Sequence, residues 1–242
     1  MAKTYVIGDI HGGLRALKQL LELTPFTSED LLVFVGDYVD GWSESAETIS
    51  YLLDFSETYN CKFLRGNHEE LLYNFLKNGV ANPTWLASGG RSSLDSYAKL
   101  SEVEKRKHIT FLEALENFYI DTDNRLYVHA GFTNIHGPQH EFYPRMVYWD
   151  RTLWETACSV NPELNEDHLL YPKRLALFKE IFIGHTPVTR IGNSQPTNFA
   201  NVWNVDTGAA FKGALSIMEV KSKQIWQSDP VWKLYPEENG RN

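Results

Sequence analysis

The chain has 242 residues, 43% of them hydrophobic and 13% aromatic, enough for one α/β domain with a sizeable core. A net charge of −8 argues against a basic surface that displaces counterions from a polyanion, so neither nucleic acid nor an anionic membrane is an expected partner, while a locally positive pocket stays open. Cys61 and Cys158 are the only cysteines, the first motif begins at Gly8 with no apolar signal region before it, and no apolar run approaches membrane-spanning length. A reduced, cytoplasmic setting is therefore expected.

Taken in order, the first apolar runs end in a glycine beside polar groups. Residues 4–7 precede Gly8-Asp9, 31–35 precede Gly36-Asp37, and 62–64 precede Arg65-Gly66-Asn67-His68. Two more runs repeat the pattern: 126–128 before His129-Ala130-Gly131, and 180–183 before Gly184-His185-Thr186. Short runs rich in Val, Ile and Phe and punctuated by glycine read as buried strands. Their polar residues then gather along one edge, where open α/β sheets bind ligands.

Between these runs, apolar spacings of three and four predict helices around Leu14, Leu17 and Leu21, around Ile49, Leu52 and Leu53, and around Leu71, Leu72 and Phe75. Leu94, Tyr97 and Ala98 predict a fourth. Ile109, Leu112, Leu115 and Phe118 predict a fifth, continuing from the charged residues 102–107. Residues 132–171 break the pattern with Pro138, Pro144 and Pro162 and with Phe142, Tyr143, Tyr148, Trp149 and Trp154. Loops and short helices covering a site are expected there. After His185, residues 202–205, 214–220 and 224–226 read as strands. His108, His136, His140 and His168 fall outside every motif and read as surface or loop residues.

Asp9 and His11 stand two apart beyond a strand and can share one space. A carboxylate with an imidazole suits Mn, Fe, Zn or Co better than Mg or Ca. Asp37, Asn67, His129 and His185 arrive from other strand ends, and only a carboxylate among them can bridge, which makes Asp37 the natural shared ligand. Two ions ~3.5–4 Å apart would activate a shared water and clamp a phosphoryl group during in-line displacement. Singly these motifs are weak, since Gly-Asp after a strand is more often a turn and a lone histidine more often a core or surface residue. Together they would otherwise bury charges that nothing compensates.

Gly8-Asp9-Ile10-His11-Gly12, Gly36-Asp37-Tyr38-Val39-Asp40, Arg65-Gly66-Asn67-His68-Glu69, His129-Ala130-Gly131 and Gly184-His185-Thr186 resemble, in order, the phosphoprotein-phosphatase branch of the calcineurin-like metallophosphoesterases. The small bacterial and lambda-phage-type Ser/Thr phosphatases are most similar. Val147-Tyr148-Trp149-Asp150-Arg151 and Asp206-Thr207-Gly208-Ala209 extend the likeness over nearly the whole of 1–242 as one domain. The resemblance implies a four-layer αββα sandwich of two mixed sheets flanked by helices. It implies one metal on Asp9, His11 and Asp37 and a second on Asp37, Asn67, His129 and His185, with Mn²⁺ the first expectation and Fe, Zn, Co or Ni the others. It makes His68 the general acid, held protonated by Asp40, and gives the substrate phosphate to Arg65 and Arg151.

One position departs. The family pattern continues Asp-Arg-Gly where this chain runs Asp40-Gly41-Trp42, so a phosphate donor is missing. Arg91 is one candidate replacement, and Trp42 stacking on an aromatic or nucleobase leaving group is another. The expected activity is hydrolysis of a phosphorylated protein, peptide or small phosphomonoester by a metal-bridging hydroxide. The alternatives are a hydrolase of dinucleoside polyphosphates or other nucleotides, and a catalytically silent binding module. The second is disfavoured by retention of all six ligands with His68 and Asp40.

Overall fold

A computed structural model describes residues 2–241. Strands β1 (Thr4–Ile7), β2 (Leu31–Phe34) and β3 (Asn60–Phe63) are parallel neighbours. They alternate with helices α1 (Leu14–Leu23), α2 (Ser45–Ser56) and α3 (Asn67–Asn78). Three further helices follow: α4 (Pro83–Trp85), α5 (Arg91–Tyr97) and α6 (Glu102–Ala114). A second series contains β4 (Phe118–Ile120), β5 (Arg125–Val128), α7 (Thr152–Ser159), β6 (Glu180–Ile183), β7 (Thr197–Phe199) and β8 (Val202–Asn204). The chain then runs through β9 (Ala214–Glu219), β10 (Ile225–Pro230) and α8 (Val231–Leu234).

These strands make two mixed sheets, in the orders β10-β9-β1-β2-β3 and β4-β5-β6-β8-β7. In each a parallel centre carries antiparallel strands: β9 and β10 at one edge of the first sheet, β4 and β7 at the two edges of the second. Alternation along the strands assigns the layers. Tyr5, Ile7, Leu32 and Phe34 pack with Leu17, Leu20 and Ile49 of α1 and α2. Val6, Val33, Tyr127, Phe182 and Met218 fill the space between the sheets, where the Tyr127 and Phe182 rings stack 5.0 Å apart. Leu126, Val128, Ile181 and Ile183 face outward against Leu153, Trp154 and Ala157 of α7. Because the strand period is two, a one-residue slip of β1 would exchange Val6 with Tyr5 and Ile7 and disrupt two cores at once.

The predicted strands and helices stand, with two corrections in the middle of the chain. Phe118 is not the last helical residue: α6 ends at Ala114, and Phe118 pairs with Val128 in β4. His108 is not on the surface. It follows the 0, 3, 4, 7 spacing of Phe111, Leu112 and Leu115 and is buried, with Nδ1 3.1 Å from the Tyr97 hydroxyl and Nε2 3.0 Å from Ser50 Oγ. Among the described residues no helix is long and apolar enough to cross a membrane.

Candidate active site

The strands of both sheets bring the predicted motifs together at their carboxyl ends. Asp9 and His11 follow β1, Asp37 and Asp40 follow β2, Asn67 and His68 open α3 after β3, His129 follows β5 and His185 follows β6. Four of these, His11, Asp37, Asp40 and His185, have φ between 53° and 71°, a left-handed conformation that costs non-glycine residues energy. The packing that imposes it leaves no slack. A Cβ at Gly184 would strike the Asp9 carboxylate, and one at Gly66 would strike Asp37.

Local hydrogen bonds aim the side chains. His11 Nδ1 donates to the carbonyls of Val39 and Asp40, at 3.1 and 2.9 Å, which frees Nε2, 3.5 Å from Asp37 Oδ2 and 3.9 Å from Asp9 Oδ2. His129 Nδ1 donates to the Val35 carbonyl at 2.9 Å. Its Nε2 then lies 3.4 Å from Asp37 Oδ2 and 3.2 Å from both Asn67 Oδ1 and His185 Nδ1. Asp37 Oδ2 is thus common to two buried groupings of nitrogen and oxygen donors. Asn67 opens a helix whose N-terminal amides favour the adjoining carboxylate, and His68 N–H donates to Asp37 Oδ1 at 3.1 Å.

The protonation states follow from this crowding. Burial lowers the His11 pKa well below its ordinary range, so the ring is neutral and its free nitrogen can accept a cation. Burial alone would raise Asp37, but His129 and His68 beside it outweigh that effect and hold Asp37 well below the usual carboxylate range. Burial, Asp206 and Asp37 push Asp9 well above that range. Burial, opposed in part by an amide bond from Gly208 and reinforced by Asp37, raises Asp206 to about 6. Asp9 Oδ1 and His185 Nε2 are buried without a hydrogen-bond partner, although buried polar atoms normally have one. Carboxylate, imidazole and amide donors converging with orphaned atoms fit divalent cations, and a bound cation would relieve the repulsion among Asp9, Asp37 and Asp206.

His68 sits beside this cluster, with Nδ1 2.6 Å from Asp40 Oδ2 and Nε2 4.0 Å from Asp37 Oδ2. Trp85 Nε1 donates to the same Asp40 oxygen at 2.6 Å. Glu69 ties the strand-end loops together, accepting from the backbone N–H groups of Asp37, Tyr38 and Gly66. Neither Trp85 nor Glu69 was singled out from the sequence. Pro83 marked a helix start before Trp85, and a glutamate three residues after Gly66 has the reach-back position of a helix cap.

A cavity of about 360 Å³ opens over His11, Asp37, Asn67, His68, His185 and Asp206. Its wall holds Arg145, Arg151, Arg190 and Arg241. Arg151 reaches it because Asp150 caps α7 through the N–H groups of Thr152 and Leu153, and Arg151 Nη1 donates to Thr186 Oγ1 at 3.0 Å. Arg65 is turned away: its Nη2 donates to the Leu112 carbonyl at 3.0 Å, and it does not line the cavity. Neither suggested replacement at Gly41 reaches the cavity. Arg91 is exposed in a separate depression, and Trp42 is buried, stacked on Tyr235 and donating to the Ala209 carbonyl. His136, His140 and His168 are exposed and away from the cavity.

The sequence profile of the calcineurin-like phosphoesterases matches residues 2–209. The protein belongs to that family. This phosphoesterase is 29% identical over 220 residues to serine/threonine-protein phosphatase 1 of Salmonella typhimurium, covering 90% of this chain and 91% of that one. It is 26% identical to the asymmetrical bis(5'-nucleosyl)-tetraphosphatase PrpE of Geobacillus thermodenitrificans, covering 88% of each. A solved protein serine/threonine phosphatase from Saccharomyces cerevisiae superposes with a TM-score of 0.62 at 16% identity, over 94% of this chain and 80% of that one, which is a likeness of fold. The phosphoesterase is thus a phosphoester hydrolase with candidate ligand groups for divalent metals.

Proposed function

We propose that the phosphoesterase hydrolyses phosphate monoesters, acting as a protein phosphatase, with His68 as general acid. The observation that carries this reading is the 2.6 Å contact between His68 Nδ1 and Asp40 at the edge of a cavity floored by Asp37. With Nδ1 held by Asp40, the ring turns Nε2 toward the Asp37 side of the cavity, where it would protonate the departing oxygen while water attacks phosphorus from the opposite side. Trp85 holds the Asp40 oxygen, which fixes the ring plane of His68. Asp9, His11 and Asp37 would hold one divalent ion, and Asp37, Asn67, His129 and His185 a second. When bound, such ions polarise phosphoryl oxygens and acidify water. Arg151, on the cavity wall, offers a planar guanidinium to the phosphate.

The protein-phosphatase form draws on the Salmonella relative and its 90% coverage. A dinucleoside polyphosphatase is the second reading. The PrpE relative favours it, as do the indole of Trp149 and the ring of Phe211, which share the cavity wall with the arginines and suit a base next to a phosphate chain. Parallel assays with Mn²⁺ on phosphoserine and phosphotyrosine peptides, p-nitrophenyl phosphate and diadenosine tetraphosphate test both. Faster turnover of phosphopeptides is the expected result. A preference for the dinucleotide selects the second reading, and no hydrolysis with any divalent metal overturns both.

A further inference from the structure

We propose that Arg241 binds the substrate phosphate, supplying from far along the chain the guanidinium that is missing at Gly41. The proposal deepens the phosphomonoesterase reading and rests on it. Its first support is the space on either side of Gly41. Gly41 and Gly89 both lie in the left-handed region, with φ of 125° and 104°, and Gly41 N–H donates to the Gly89 carbonyl at 3.2 Å. A Cβ on Gly41 would come within 3.3 Å of Arg241 Cγ, and one on Gly89 within 3.0 Å of the same atom. The stem of Arg241 therefore runs across two positions kept free of side chains. Its guanidinium lies 5.5 Å from the centre of the Phe211 ring, and both residues line the cavity with His11, Asp37 and His68.

The second support is the loop 41–44, which departs from the family pattern and is also the loop that docks the segment bearing Arg241. The Trp42 ring stacks on Tyr235 with centroids 5.2 Å apart, and a Cβ on Gly240 would come within 2.7 Å of Trp42 Cζ2. Ser43 donates from N and Oγ to Glu238, at 2.9 and 2.6 Å, and the Tyr235 hydroxyl bonds Glu44. Arg241 N–H itself donates to the Ala210 carbonyl at 2.9 Å. Backbone and stem are held before any ligand arrives, so little ordering of this side chain remains for binding.

The third support is charge. Arg145 is paired with Glu70 at 3.0 Å, whereas no carboxylate among the described residues forms an ion pair with Arg241. Arg241 lines the same cavity as His11, Arg151 and Asp206. A guanidinium that lines the cavity and has no ion-pair partner among the described residues is suited to an anionic group brought by the substrate.

The test uses the full chain loaded with Mn²⁺ and the variants Arg241→Gln, which keeps most of the stem, and Arg241→Lys, which keeps the charge. Titration calorimetry with inorganic phosphate and steady-state hydrolysis of p-nitrophenyl phosphate are read together with manganese content. Arg241→Gln is expected to weaken phosphate binding and to lower kcat/KM at least tenfold each, with manganese content unchanged and Arg241→Lys intermediate. Arg91→Gln, in the neighbouring depression, is expected to leave both readings at wild-type values. Phosphate affinity of Arg241→Gln within twofold of wild type overturns the proposal. If the wild-type protein hydrolyses no phosphoester, the functional reading fails by itself, and the phosphate titration still decides whether Arg241 is an anion-binding residue.

Discussion

The floor and the rim of the cavity are built in opposite ways. On and beneath the floor, Asp9, His11, Asp37, Asn67, His68, His129 and His185 are all buried, several in left-handed backbone, with His11 and His129 aimed by backbone carbonyls. On the rim, Arg151 and Arg190 are exposed, and Arg145 is 58% exposed even though it pairs with Glu70. The floor comes from strand ends, whose positions the sheets fix. The rim comes from the irregular segment 132–171, from the turn after His185 and from the segment that docks on residues 41–44. Under the proposed function this difference divides the labour: the floor would hold the metals and the acid, and the rim would hold the substrate.

The largest effect should come from breaking the floor at its shared atom. Asp37→Asn keeps the volume but removes the charge that faces His11, His129 and His68. Metal affinity should collapse, and activity with it. Elemental analysis of the purified variant checks this, and a full complement of metal would show that Asp37 is not the bridging group. Next comes His68→Asn, expected to lower kcat by about 10²–10⁴-fold while leaving metal content intact. The loss should be greater for alkyl phosphates than for p-nitrophenyl phosphate, whose leaving group needs no proton. Metal analysis is decisive here, because a ligand histidine also donates its second N–H to a carboxylate, as His68 does to Asp40.

Sharpening the rim should cost less. Arg151→Ala removes one charge-assisted bond to the phosphate, worth ~1.5–3 kcal/mol, so kcat/KM should fall about tenfold to a hundredfold with metal content unchanged. The fall should be similar for every monoester, since a phosphate contact does not read the leaving group. Steady-state kinetics on two monoesters with different leaving groups would show whether the rim discriminates at that atom.

This division also explains what could be read from the sequence. Floor motifs are contiguous, so Gly-Asp after β2 or Gly-His after β6 carries its structural context with it, and the strand order brings the motifs together. A rim arginine depends on where a long segment docks. Arg65 has the expected neighbours in sequence, yet the Leu112 carbonyl on α6 captures its guanidinium. No local pattern marks Arg241, because its position depends on Trp42 stacking against Tyr235. Phe118 misled for a related reason: its spacing from Leu115 suits a helix, but pairing with Val128 places it in a strand. His108 was legible, since it shares the apolar face of Phe111 and Leu112, and only the presumption that a histidine faces water hid it.

His108 completes the comparison as a buried histidine with no ligand cluster beside it. Burial lowers its pKa to about 4, against an ordinary value of 6.5, the charges of Glu104 and Glu47 offsetting only part of the effect. Above pH 6.5 neither folded nor unfolded chain protonates this ring, and its hydrogen bonds with Tyr97 and Ser50 stabilise the packing of α2, α5 and α6. Between pH 6.5 and 4 the unfolded chain takes up a proton that the folded chain refuses, so stability falls as pH drops, by at most about 3 kcal/mol across the window. Urea unfolding at pH 7 and pH 4.5 should therefore show a smaller acid-induced loss for His108→Gln than for wild type, while activity at pH 7 is unchanged. Equal losses in the two proteins would mean that the ring takes up its proton as readily in the fold as in the unfolded chain, and a fall in activity at neutral pH would tie this helical packing to the position of Asp40, whose backbone N–H is held by Ser93 of α5.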